Sequence, residues 1–162
     1  MENYIVINGK KAELTEAQLK QLGIEIKKGN PFERASKEEP YFYISCTGDI
    51  NIAKECGSNT DKRILDAANY CTDHELIGQR ALHEILSRKL WRFACENGEL
   101  ENEWNGENYH YEIFFDEDKK EFKAQYRVVT HTFGPFFRTK GDADKAIEII
   151  KQFIAAHPDF VW

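Results

Sequence analysis

From Cys71 to Gly98 the apolar residues Leu76, Ile77, Ala81, Ile85, Leu86, Leu90 and Phe93 recur every three or four positions. That spacing places them on one face of an α-helix. Thr72 with Glu75 three residues on reads as a capping box, with Cys71 and Leu76 at the staple positions beside it. Asn97-Gly98 supplies the stop. A helix over 73–96 would run about 36 Å at 1.5 Å per residue. An apolar face that long has to be covered by whatever the rest of the chain builds.

The flanking segments read as strands. Tyr41-Phe42-Tyr43-Ile44 is followed by a turn at Thr47-Gly48-Asp49 and by Ile50 through Ala53. A loop at Gly57-Ser58-Asn59 leads to a weaker strand around Lys62 to Leu65. Beyond the helix, Tyr111, Ile113 and Phe115 alternate with His110, Glu112 and Phe114. Asp116-Glu117-Asp118 then turns the chain into a strand from Phe122 to His131. Phe133 to Phe137 turns into a short last strand. Thr139 then caps a second helix carrying Ala143, Ala146, Ile147, Ile150, Phe153 and Ile154, which Pro158 ends. The two stretches read as copies of one pattern, strands and then a helix, opened by Tyr70-Cys71-Thr72 and by Phe137-Arg138-Thr139.

Ahead of them, Tyr4-Ile5-Val6-Ile7 with Asn8-Gly9 reads as a hairpin. Thr15 and Gln18 open a short helix that Gly23 closes, flanked by Leu14 and Leu19. Gly29, Asn30, Pro31 and Pro40 punctuate a linker whose Phe32 docks on the body. The expected class is α+β: an N-terminal hairpin and short helix (1–29), a linker (30–40) and two sheet-helix units (41–98 and 99–162). The units share antiparallel sheet, with the helices on one face.

Aromatic residues make up 13% of the chain, which argues against disorder. No apolar run approaches the roughly 20 residues that cross a bilayer. Met1-Glu2-Asn3-Tyr4 lacks the basic-then-apolar order of a secretion signal, so a cytoplasmic location in a bacterial host is expected. Cys46, Cys56, Cys71 and Cys95 fit that compartment as reduced thiols, and none forms a C-x-x-C pair. A net charge of −6 runs against a general nucleic-acid binder, whose affinity comes from neutralising phosphates.

Several segments resemble small proteins of bacterial prophages and other mobile elements. They are Ile7-Asn8-Gly9-Lys10-Lys11, Asn30-Pro31-Phe32-Glu33-Arg34, Tyr41-Phe42-Tyr43-Ile44, Ala68-Asn69-Tyr70, Leu90-Trp91-Arg92-Phe93-Ala94 and Phe136-Phe137-Arg138-Thr139-Lys140. These segments are structural punctuation, so the resemblance implies a fold and a genomic setting and transfers no catalytic residue. In that setting small acidic proteins often antagonise host defence, including CRISPR nucleases. That step is class analogy.

Catalytic patterns are missing from the sequence. His74, His83, His110, His131 and His157 stand in no metal-binding spacing, and the hairpin register brings His110 and His131 near each other at most. Ser45, Ser58 and Ser87 lack the setting of a nucleophile. The chain therefore reads as non-enzymatic, with no cofactor and no metal.

Charge is segregated instead. From Glu96 to Asp118 stand nine acids and no Lys or Arg. Within that stretch the expected partner-binding residues are Glu99, Glu101, Glu103, Trp104, Glu107, Tyr109, Tyr111, Asp116, Glu117 and Asp118. Carboxylates there would take the place of phosphates in a basic channel, with aromatics adding affinity. The best functional expectation is a protein-binding mobile-element product that inhibits a CRISPR effector nuclease, an anti-CRISPR. The alternatives are a nucleic-acid accessory module using Arg80, Arg88, Lys89 and Arg92 of the long helix, or a phage structural component. Glu84, placed between Arg80 and Arg88, favours an ion-pair ladder there. Trp162 either docks on the body or joins a partner.

Overall fold

In the computed structural model, which describes residues 4–7, 10–13, 18, 21, 29–129 and 134–162, three hairpins alternate with helices. The order is β1 (Tyr4–Ile7), β2 (Lys10–Glu13), β3 (Pro40–Ile44), β4 (Ile50–Lys54), α1 (Asn59–Asp66) and α2 (His74–Glu96). A 3-10 turn (Glu99–Glu101), β5 (His110–Asp116), β6 (Glu121–Arg127) and α3 (Lys140–Ala156) complete it. The α+β class stands, and each hairpin is antiparallel. The expected helix at 15–23 lies outside the described residues, except for Gln18 and Gln21.

Helix α2 fills the span that its periodicity predicts. Its cap is Asp73 and not Thr72: Asp73 Oδ1 accepts from the backbone N–H of Glu75 and of Leu76, both at 3.0 Å. The Thr72 hydroxyl is turned outward and donates to the Pro31 carbonyl. The first half of α2 sets Ile77 and Ala81 against Ile44 and Cys71 of the first hairpin unit. The second half sets Leu86, Leu90 and Ala94 against Ala143, Ala146, Ile150 and Phe153 of α3, with Phe137 and Phe160 closing the core. Each fully buried Leu, Ile or Phe contributes about 1.5–3 kcal/mol, so this shared core holds the two units together. Leu76, expected on the buried face, is instead 39% exposed.

The stretch 62–65 is helix α1, not a strand. Ser58 accepts from the Asp61 N–H while the Asp61 carboxylate accepts from the Ser58 N–H, a reciprocal capping box that starts the helix. The sheet also differs from expectation. The units share none; each hairpin is a separate two-stranded ladder. β6 ends at Arg127, and the expected last strand is reduced to a bridge at Phe137; residues 130–133 lie outside the described residues.

The repeat is nonetheless visible. In each unit the residue two before the helix cap bridges the first strand, Cys71 onto Phe42 and Phe137 onto Tyr111. Cys71 precedes Asp73 as Phe137 precedes Thr139, so the true register of the repeat is one residue off the sequence alignment.

Residues 30–39 are bonded to the first unit. Glu55, nearly inaccessible, receives Arg34 through both guanidinium N–H groups at 3.0 and 2.9 Å, the Gly57 N–H and the Tyr70 hydroxyl. Tyr70 stacks on Tyr41 at 4.1 Å, and Tyr41 donates to Asp61. Phe32, expected to dock, is 44% exposed.

Candidate functional site

The carboxylates that the sequence groups together divide into two sets. β5 separates them: from His110 to Asp116 it extends about 20 Å at 3.3 Å per residue. Glu99, Glu101, Glu103 and Glu107 lie before its start, whereas Asp116, Glu117 and Asp118 lie at its far end. Trp104, Tyr109 and Tyr111 belong with the first set. The ten residues therefore do not form one patch.

In the far set, Asp116 and Glu117 are matched by cations. Asp116 pairs with Lys123, which holds its carboxyl below the usual carboxylate range, and Glu117 pairs with Lys120 at 2.7 Å. Glu112, midway along β5, accepts from Arg127 at 2.6 Å and from Gln125.

The near set is built around a buried histidine. His110 is fully buried, although it sits on the face of β5 turned away from α3. The 98–109 loop folds over that face and covers it. His110 Nδ1–H donates to Glu99 Oε1 at 2.7 Å, and the Trp104 ring lies flat on the imidazole at 3.6 Å. Phe136 meets both rings edge-on. Asn102 Nδ2 donates to the other Glu99 oxygen and to the Tyr109 carbonyl, so both Glu99 oxygens are engaged. Glu99 and Trp104 thus anchor the loop, both remaining half-buried. Sequence reasoning placed His110 on a strand but missed its burial, because the covering groups come from a loop with no apolar pattern.

The loop tip is stiffened by its own bonds. Asn105 Oδ1 accepts from the N–H of Glu107 and of Asn108, and Asn108 Nδ2 donates to the Glu103 carbonyl. Gly106 takes φ 83°, a left-handed geometry that favours glycine. Glu101, Glu103 and Glu107 are exposed on this frame. Arg138 is 3.9 Å from Glu101, with both side chains in solvent, a pairing worth little. Tyr109, over half exposed, forms an aromatic cluster with Tyr126 at 4.9 Å and Tyr111 at 6.5 Å.

The basic ridge of α2 is internally paired. Glu84 bridges Arg80 at 3.1 Å and Arg88 at 3.5 Å, and Arg92 lies 3.9 Å from Glu96. Lys89 sits over the Phe153 ring. This is the ladder that the spacing of Arg80, Glu84 and Arg88 predicts.

The most polar buried cluster, Glu55 with Asp61, is saturated: all four carboxylate oxygens accept from protein donors. Burial pushes the Asp61 carboxyl up, but bonds from Cys56, Ser58 and Tyr41 outweigh it and hold it well below the usual range. Arg34 above all holds Glu55 low as well. Such carboxylates fix structure; of their four oxygens only Asp61 Oδ1 accepts a single bond, from Tyr41. Among the described residues no group of three or more His, Cys, Asp or Glu is placed to hold a metal ion. His131 lies outside the described residues. Cys71 is buried, Cys95 half-buried, and Cys46 and Cys56 are exposed thiols. No described helix is long and apolar enough to cross a membrane.

The C-terminal segment docks on the body. Phe160 is buried, and the Gln79 amide reads the backbone on both sides of it, at Asp159 and Val161. Trp162 meets Phe122 edge-on at 4.7 Å. What the fold and site define together is an α+β protein with a stiff acidic loop beside exposed tyrosines. Compared with protein-family models, characterised proteins and solved structures, the chain matches none.

Proposed function

We propose that this chain is a non-enzymatic mobile-element protein that works by binding another protein, and that it inhibits a CRISPR effector nuclease. The contact surface is the near set alone: Glu101, Glu103 and Glu107 with Tyr109. The observation that carries the reading is the anchoring of these exposed carboxylates on a loop locked by Trp104, His110 and Glu99. A loop ordered before binding loses little entropy on association, so its charges act at full strength. Carboxylates so held would meet the basic channel in which the nuclease takes DNA, and complementary charge would speed encounter. The nuclease as partner rests on the resemblance to mobile-element proteins and on the acidic charge.

The experiment is direct. The full chain is added to a set of guide-loaded effector nucleases, and target-DNA binding is read by fluorescence anisotropy. Loss of DNA binding at stoichiometric protein is expected for at least one effector. Undiminished DNA binding across the set, with no complex on a sizing column, would overturn the nuclease reading.

A further inference from the structure

A second surface lies along helix α2. Helix α2 and the tip of the first hairpin bound an open groove whose floor is Ile50, Gly78, Ala81, Leu82 and Ile85. The floor is apolar, and Ile85 also borders a second concavity, lined by Arg88, Lys89 and Arg92.

Gly78 stands near the middle of the floor. A glycine inside a helix costs about 1 kcal/mol against alanine. Nothing in the packing calls for it: a Cβ there would meet Ile50 Cδ1 at 3.7 Å, ordinary van der Waals contact, and nothing else within 4 Å. Its effect is to deepen the groove.

The two ends carry opposite charge. Glu75 and Asp159 border one end, and among the described residues neither is in an ion pair. Arg88 and Arg92 border the other, paired with Glu84 and Glu96 of their own helix, and Arg88 also donates to the Cys46 carbonyl at 3.4 Å. From Glu75 to Arg88 is about 20 Å along the axis, close to four helical turns.

We infer that this groove binds an amphipathic α-helix of a partner protein, running antiparallel to α2. Three features of the occupant follow. It has an apolar stripe at i, i+3, i+4 and i+7 to fill the floor. It has acids in its first turn, which meet Arg88 and Arg92. It has bases in its last turn, which meet Glu75 and Asp159. That charge order is the one a helix favours on its own, because its dipole stabilises acids at the N-terminus and bases at the C-terminus. It also fixes the antiparallel direction, since α2 runs from the acidic end of the groove to the basic end.

The test uses the full chain and a labelled helical peptide of about 16 residues, roughly four turns, with that stripe and charge order. A control peptide has the same composition and the charged turns exchanged. Saturable binding of the first is expected, with the control about tenfold weaker, the size that one well-placed charge contact supplies. Gly78→Leu, which fills the floor, should abolish binding. Glu75→Lys with Asp159→Lys leaves the floor untouched and makes both ends basic, so it should abolish the preference between the peptides, and the proposal stays testable if the leucine variant does not fold. Lysine at Glu101, Glu103 and Glu107 should leave peptide binding unchanged, which separates this groove from the acidic loop. Equal binding of both peptides, binding insensitive to Gly78→Leu in a folded variant, or no saturable binding would overturn the proposal. A dimer in sedimentation equilibrium that Gly78→Leu dissolves would also overturn it, by making a second copy the occupant.

Discussion

The indole of Trp104 lies 3.6 Å from the imidazole of His110 with the two planes 4° apart. Trp104 sits in a polar loop, and His110 on what would otherwise be the solvent face of a two-stranded hairpin. Their contact turns that face into a small second core and gives the acidic loop its fixed position. The stability and presentation of the loop both depend on it.

Trp104→Ala removes the cover from His110. The ring is half-buried, so the loss should be about 2 kcal/mol, below the range for a fully buried aromatic. Urea unfolding measures it. Amide hydrogen exchange in 101–109 should accelerate in the same variant while that of α3 does not, because the loop can open without the main core.

Glu99→Ala leaves the His110 N–H and an Asn102 N–H without their acceptor. It should cost about 1–3 kcal/mol, the penalty for a buried donor left unpaired. Glu99→Gln keeps an acceptor and should cost less. The comparison of the two unfolding midpoints separates lost packing from a lost hydrogen bond.

Acid should weaken the first unit through Asp61. Its carboxyl lies below the ordinary value of about 4, so its contribution is fully present above that pH and is lost as pH falls through the native value. Glu55 acts with the same sign. Unfolding free energy should therefore drop steadily below about pH 4. In Asp61→Asn the protein should be less stable at pH 7, and the drop between pH 5 and pH 2 shallower. A wild-type slope retained in Asp61→Asn would assign the acid sensitivity elsewhere.

Helix α1 should depend on its cap. Ser58→Ala removes the acceptor for the Asp61 N–H and should destabilise by about 1 kcal/mol. Circular dichroism with urea titration checks it.

How much of this was legible in the sequence follows from what holds each element. Helices α2 and α3 are held by long apolar faces, and their periodicity marks them to within a residue. Helix α1 is held by polar groups: Asp61 is its one buried residue. Hydrophobic period therefore misread it, although Ser58 with Asp61 three residues later was a visible signal. Thr72 and Asp73 are both good caps, and the choice between them was made by Pro31, whose carbonyl takes the threonine hydroxyl. The division of the acids was the least legible feature. Charge along a chain says nothing of the 20 Å strand that separates Glu107 from Asp116, or of which carboxylates fold inward. Glu99, Glu112 and Asp116 are held by His110, Arg127 and Lys123, partners that only the folded register supplies.

The central claim is that the near carboxylates, and not the far ones, meet the partner. Two charge-reversal variants compare them, lysine at Glu101, Glu103 and Glu107 and lysine at Glu117 and Asp118, each titrated against the inhibited effector nuclease at rising salt. The account predicts that the first variant loses affinity by about a hundredfold and flattens the salt dependence, while the second binds as the parent does. Equal affinity for the first variant and the parent would contradict it.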